Sequence, residues 1–260
     1  LRGWVRDATE SMPDYNVRPA VLVLPGGGYA HCSVREGDPV AARFLAAGYQ
    51  VFLLNYTVAE DPARAPLGYA PLTDAARALL HLRRHAAALR LDPARVAVCG
   101  FSAGGHLAAC SALLAGDVQD RLDLRDGETI RDARPDAVLL SYPVITTGPL
   151  THPGSADNLA VGDPALRARF SLVDRVADPP DQPPVIRWHK VADALVPVAN
   201  SLMLAQALQR RGACYELHLF PGGAHGSSLC TREVGSPNAH NRVWMELALN
   251  WLADVFDYHL

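Results

Sequence analysis

The sequence predicts an α/β fold, with a mostly parallel central sheet and helices on both faces. Three observations carry that expectation. Apolar runs of strand length alternate with stretches of helical periodicity along the 260 residues, the order produced when a crossover helix follows each strand. The runs are continuous in apolar character rather than alternating, as strands covered on both faces require. The 49% hydrophobic and 20% charged composition is that of a globular chain able to bury a large core. With no repeat and no linker-like tract, a single domain over residues 1–260 is the economical expectation.

Residues 1–17 are polar and turn-rich, with room for an edge strand. Ala20-Val21-Leu22-Val23-Leu24 is the first buried strand and runs into Pro25-Gly26-Gly27-Gly28-Tyr29. A helical pattern from about 38 to 47 stops at Gly48. Gln50-Val51-Phe52-Leu53-Leu54-Asn55-Tyr56 reads as the next strand, and a long helix from about 72 to 89 ends before Asp92-Pro93. Val96 to Cys99 is a β-branched strand feeding a small-residue helix. Further strands are expected at Ala137 to Pro143, Pro184 to His189 and Cys214 to Phe220. Two helices, from about 198 to 211 and from about 239 to 256, follow the last two strands. The forty residues 144–183 are rich in Pro, Gly, Asp and Ser, too long for a plain connection, and suggest a lid-like insertion.

Bulk charge narrows the partners. A net charge of −3 and a pI near 6.4 give no footprint for nucleic acid or an anionic membrane. No apolar stretch approaches the ~20 residues of a membrane span. Five cysteines, Cys32, Cys99, Cys110, Cys214 and Cys230, are odd in number and without paired spacing. Cys99, Cys110 and Cys214 lie in apolar runs, where thiols behave as small hydrophobes. A reduced, cytoplasmic protein is therefore expected. No metal or cofactor motif stands out: His81 and His85 share a helix face but lack a carboxylate ligand set, and the Gly26-Gly27-Gly28 run is followed by neither a phosphate-loop nor a dinucleotide pattern.

The chemistry gathers at Gly100-Phe101-Ser102-Ala103-Gly104. A serine flanked two residues away by glycines, between a strand and a helix, is the nucleophile elbow of the α/β-hydrolase fold. A serine hydroxyl needs a base and an orienting acid, which in that fold follow in the order acid, then histidine. Asp193 lies just after the strand ending at His189. His225 lies in Pro221-Gly222-Gly223-Ala224-His225-Gly226, just after the strand ending at Phe220. Rival acids (Asp181, Glu216) and bases (His189, His240) fall before, inside or at the end of strands, or at a helix start. Acyl transfer also needs N–H donors for the developing oxyanion; Gly27 and Gly28 after the first buried strand, and Ala103 after the serine, are the candidates. His106 reads as a structural or pocket-wall residue, and His31-Cys32 and Arg35-Glu36 as pocket lining.

Taken together, Pro25-Gly26-Gly27-Gly28-Tyr29, Ser33-Val34-Arg35-Glu36-Gly37, the segment from Gly48 to Tyr56, Gly100 to Ala108, Trp188-His189, the segment from Asp193 to Ser201 and Gly223-Ala224-His225-Gly226 resemble small bacterial α/β-hydrolases. The likeness is to the acetyl xylan esterase and feruloyl esterase-like group, akin to hormone-sensitive-lipase-like esterases, and extends from about Ala20 over nearly all the chain. It implies a serine carboxylesterase with Ser102 as nucleophile, His225 as base and Asp193 as orienting acid, needing no cofactor. A small acyl ester, such as an acetylated sugar, would be the substrate. Two departures stand out: the acid loop holds Ala192-Asp193 rather than paired acids, and Pro25 replaces a histidine before the glycine run, so the oxyanion loop must be held differently. A prolyl-oligopeptidase-like peptidase and a non-catalytic ligand-binding protein on the same fold are the alternatives.

Overall fold

The long strand at the centre of the sheet sets the frame for everything else. In the computed structural model, which describes residues 1–179 and 181–260, seven strands form one sheet. These are β1 (Arg2–Trp4), β2 (Arg18–Leu24), β3 (Gln50–Leu53), β4 (Leu91–Phe101), β5 (Ala137–Ser141), β6 (Val185–Lys190) and β7 (Tyr215–Phe220). Their order is β1-β3-β2-β4-β5-β6-β7. Only β1 runs antiparallel to its neighbour; the remaining pairs are parallel. The helices are α1 (Asp38–Ala46), α2 (Ala70–Arg84), α3 (Ala86–Leu89), α4 (Ala103–Leu113), α5 (Pro153–Ala160), α6 (Pro164–Arg169), α7 (Ala199–Arg210) and α8 (Trp244–Phe256).

The two faces of the sheet divide by residue parity, as a period of two dictates. Leu22, Leu24, Val98 and Leu140 join the core beneath α2, α4 and α7. Val21, Val23, Ala97, Cys99 and Leu139 join the core beneath α1 and α8. Both faces are covered, which explains why the strands read as unbroken apolar runs. Helix α4 lies between the sheet and α2, and every residue from Ala103 to Ala112 is buried. A helix enclosed all round shows no amphipathic stripe, and its Ala and Gly residues let it approach the strands closely.

Several boundaries shift from the sequence expectations. Strand β3 ends at Leu53 rather than at Tyr56, because the chain turns away to place the Tyr56 hydroxyl on the Pro25 carbonyl at 2.6 Å. The expected helix over 72–89 is interrupted at His85. Strand β4 begins at Leu91, through Asp92-Pro93, with a register irregularity between Arg18 and Ala20 on β2, a bulge-like device that tolerates proline. Among the cysteines, Cys99 and Cys110 are buried but Cys214 is exposed, because it precedes β7 rather than lying within it. No helix among the described residues is long and apolar enough to cross a membrane.

Parallel strands open their carboxyl ends on one edge, the usual place for a site in such sheets. The loops after β2, β4, β6 and β7 all meet there. At the elbow, a Cβ on Gly104 would strike the carbonyl oxygens of Leu24 and Pro25, and one on Gly100 would strike that of Gly104. Gly104→Ala is therefore expected to lower stability by about 1–3 kcal/mol or more through overpacking. Gly116→Ala, where the added carbon meets nothing within 4 Å, should leave stability unchanged or slightly raised. Urea unfolding of both variants checks the contrast.

Candidate active site

Ser102 stands at the bend between β4 and α4 with φ 53° and ψ −116°, a backbone region that side chains other than glycine rarely occupy. Its amide donates to Ser141 on β5 at 2.9 Å, and its carbonyl accepts from His106 at 3.0 Å and Val144 at 3.2 Å. The strained turn is thus held by the neighbouring strand, its own helix and the chain leaving β5. The side chain reaches the carboxyl edge of the sheet and is only 7% exposed.

The loop after β7 brings His225 to the serine: its Nε2 lies 2.8 Å from Ser102 Oγ. Its Nδ1 lies 2.7 Å from Asp193 Oδ2, in the loop after β6. A carboxylate can only accept, so the Nδ1 proton faces Asp193 and Nε2 is left to accept from the serine hydroxyl. The other Asp193 oxygen accepts from the amides of Leu195 and Val196, each at 3.0 Å. Burial alone would raise the Asp193 carboxyl. The hydrogen bond and charge of His225, with the two amides, outweigh it and hold the group below the ordinary carboxylate range. Asp193 is therefore ionised at neutral pH.

Beside the serine lies the glycine loop. Among the described residues, the N–H groups of Gly27, Gly28 and Ala103 donate to no protein acceptor. The N–H of Gly26 is taken by Glu36 Oε2 at 2.8 Å. With Pro25 in place of a histidine, the loop is held by other contacts. Tyr56 donates to the Pro25 carbonyl, Glu36 holds Gly26, and Asn158 Nδ2 on α5 donates to the Gly28 carbonyl at 2.9 Å.

The rivals His189 and Glu216 are engaged by other groups. His189 approaches Asp193 Oδ2 to 3.7 Å, but its Nε2 donates to the Val196 carbonyl at 2.9 Å and its Nδ1 pairs with Ser201 Oγ at 2.8 Å. Burial pushes its imidazole down to about 4, so it is a neutral part of the wall behind Asp193. Glu216 pairs with His218 on β7 at 2.5 Å. His106 accepts from the Tyr29 hydroxyl and donates to the Phe170 carbonyl, both at 2.8 Å. Burial holds it near 4 as well, and it belongs to the packing under the glycine loop.

Three further residues shape this edge. His152, on the segment 144–183, has Cε1 3.5 Å from where a Gly28 Cβ would stand. Asn200 fixes the chain leaving β5 by accepting from Ile145 at 2.8 Å and Thr146 at 3.1 Å. Glu36, expected to line the pocket, is 3% exposed and faces inward, behind the glycine loop. His152 was not marked by the sequence, and the inward roles of Glu36 and Asn200 were not readable because their partners Tyr142 and Ile145 are distant in the chain. Among the described residues no group of three or more His, Cys, Asp and Glu side chains is placed to hold a metal ion.

Comparisons with known proteins agree with this architecture. The family model described as BD-FAE matches residues 11–208. Endo-1,4-beta-xylanase B of Butyrivibrio fibrisolvens is 36% identical over 84% of this chain and 34% of its own length. An acetylxylan esterase of Xylanibacter ruminicola is 26% identical over 94% of this chain and 47% of its own. The chain thus spans about a third to a half of these curated relatives. The crystal structure of an acetyl ester-xyloside bifunctional hydrolase from Caldicellulosiruptor lactoaceticus superposes with a TM-score of 0.82 at 34% identity, covering 98% of this chain and 87% of that one. Sheet order, elbow and sequence similarity together assign the chain to the BD-FAE family, with the α/β-hydrolase fold.

Proposed function

We propose that this protein is a serine carboxylesterase that hydrolyses short acyl esters, acetyl esters of carbohydrates above all, through an acyl-enzyme. The observation that carries the reading is the pair of contacts of His225, 2.8 Å to Ser102 Oγ and 2.7 Å to Asp193 Oδ2. The acetylxylan esterase and the acetyl ester-xyloside hydrolase among its relatives favour the carbohydrate ester as substrate class.

In this mechanism His225 Nε2 takes the Ser102 proton as Oγ attacks the ester carbonyl. The imidazolium is stabilised and oriented by ionised Asp193. Negative charge on the carbonyl oxygen is met by the N–H groups of Gly27, Gly28 and Ala103, which among the described residues donate to no other acceptor. Collapse of the tetrahedral intermediate breaks the bond to the alkoxy group, which leaves as the alcohol with the proton from Nε2. A water molecule, deprotonated by His225, then attacks the acyl-serine; collapse frees the acid and returns the proton to Ser102. The segment 144–183, carrying α5 and α6, covers the glycine loop as a cap and bounds the acyl pocket.

Ser102→Ala is expected to keep the melting temperature within a few degrees and to lower kcat on p-nitrophenyl acetate by about 10⁴-fold or more. Wild-type protein should label at Ser102 with a fluorophosphonate; turnover that survives the substitution would refute the nucleophile. The pH profile tests the base. Nε2 must carry a free lone pair to accept the serine proton, and Asp193 must be ionised to orient the ring. Because Asp193 is held below the ordinary carboxylate range, its protonation should not set the acid limb of kcat/KM, and a limb in the carboxylate range would count against His225 as the base. For substrate class, acetyl esters should turn over at least about tenfold faster than butyryl esters, with feruloyl esters slower again and acetate released from acetylated xylo-oligosaccharide. A preference for feruloyl esters would overturn the small acyl pocket.

A further inference from the structure

Behind His225 lies a set of buried charged groups that the reaction itself does not use. Lys190, the only lysine in the chain, ends β6 and is fully buried. Its ammonium group donates to the Ala224 carbonyl and, at 2.7 Å, to Ser227 Oγ, on either side of His225 in the chain. Nζ also stands 4.5 Å from the centre of the Tyr142 ring and 5.3 Å from that of Trp188, so its third proton faces aromatic surface. The Tyr142 ring meets the His225 ring edge to face at 4.9 Å. Its hydroxyl donates to Glu36 Oε1 at 2.6 Å and accepts from the Ser228 amide at 2.8 Å. The second oxygen of Glu36 accepts from Gly26. Tyr142 and Ser228 both take left-handed backbone angles, φ 39° and 48°, conformations that persist only where surrounding contacts hold them.

We propose that Lys190, Tyr142 and Glu36 are positioning residues that fix the His225 loop against the glycine loop, so that base and oxyanion donors keep one geometry. The proposal rests on the role proposed for His225 above. The logic is that of desolvated charge. A buried ammonium group without acceptors is costly, so Ala224 and Ser227 are held tightly to Lys190; a buried carboxylate likewise holds Gly26 and Tyr142. Between them Tyr142 touches both charges and the imidazole. Burial pulls the lysine down from its ordinary value, opposed by the nearby Asp193, Cys230 and Glu36.

The test compares Lys190→Met, Tyr142→Phe and Glu36→Gln with wild type. In each, kcat for p-nitrophenyl acetate should fall about tenfold or more while KM stays within about twofold, the pattern of a displaced reacting group. Lys190→Met with Glu36→Gln should cost less than the product of the single effects, because both act through Tyr142. Where Lys190→Met fails to fold, Ser227→Ala carries the same test, since it removes one acceptor and leaves every buried charge in place. An NMR measurement is independent of turnover: the His225 ring resonances should move in the variants, while those of His106 stay put. Unmoved His225 resonances would overturn the proposal, as would a kcat that falls only in step with melting temperature. Absence of esterase activity in wild type would refute the function and leave the NMR result to decide the positioning role.

Discussion

The left-handed turn at Ser102 is the constraint on which the rest of this edge depends. A serine cannot hold φ 53° without help, and the help fixes its neighbours. Its amide must reach β5, so β4 and β5 must pair in the register that sets Phe101 beside Ser141. Gly104 must pass against the carbonyls of Leu24 and Pro25, so β2 must lie next to β4 and its loop must begin there. The glycine loop with its free amides is thereby brought to the serine. Steric demand at one residue thus selects both strand order and loop placement.

Electrostatic environment separates His225 from His106 and His189. His106 and His189 have both ring nitrogens engaged by protein groups, and burial drives each toward the neutral form at about 4. His225 differs in what it meets. One nitrogen faces an ionised carboxylate and the other a hydroxyl that can give up a proton. A base requires a lone pair directed at a labile proton and a means of bearing charge afterwards. Among these three, only His225 directs one nitrogen at Ser102 Oγ and hydrogen-bonds ionised Asp193 with the other.

The segment 144–183 is built into the structure at several points. Asn200 holds its start, the amides of Leu67 and Gly68 donate to Asn158 and Leu159 at 2.8 and 2.9 Å, and Arg169 pairs with Asp117. Its two short helices each begin with proline behind a side-chain cap from His152 or Asp163. These contacts tie the segment to the glycine loop, where Asn158 donates to the Gly28 carbonyl.

The alternation of apolar runs and helical stretches, with Gly100-Phe101-Ser102-Ala103-Gly104 at a strand-helix boundary, made the fold class and the loops after β2, β4, β6 and β7 readable without coordinates. The signal is local: periodicity, turn glycines and position after a strand each reside in a few consecutive residues. The register break at Arg18 and Ala20, the early end of β3 and the exposure of Cys214 were not readable, because each is decided by what packs alongside. Glu36, Tyr142 and Lys190 make the same point at the site. Glu36 and Tyr142 are 106 residues apart in the chain, and nothing near either predicts the other. Sequence by itself determined which elements form and which glycine-rich turns follow them, since those depend on short-range sterics and patterning. Tertiary structure alone decided which charges are desolvated and what they hold, since a buried charge is defined by distant groups that replace its water.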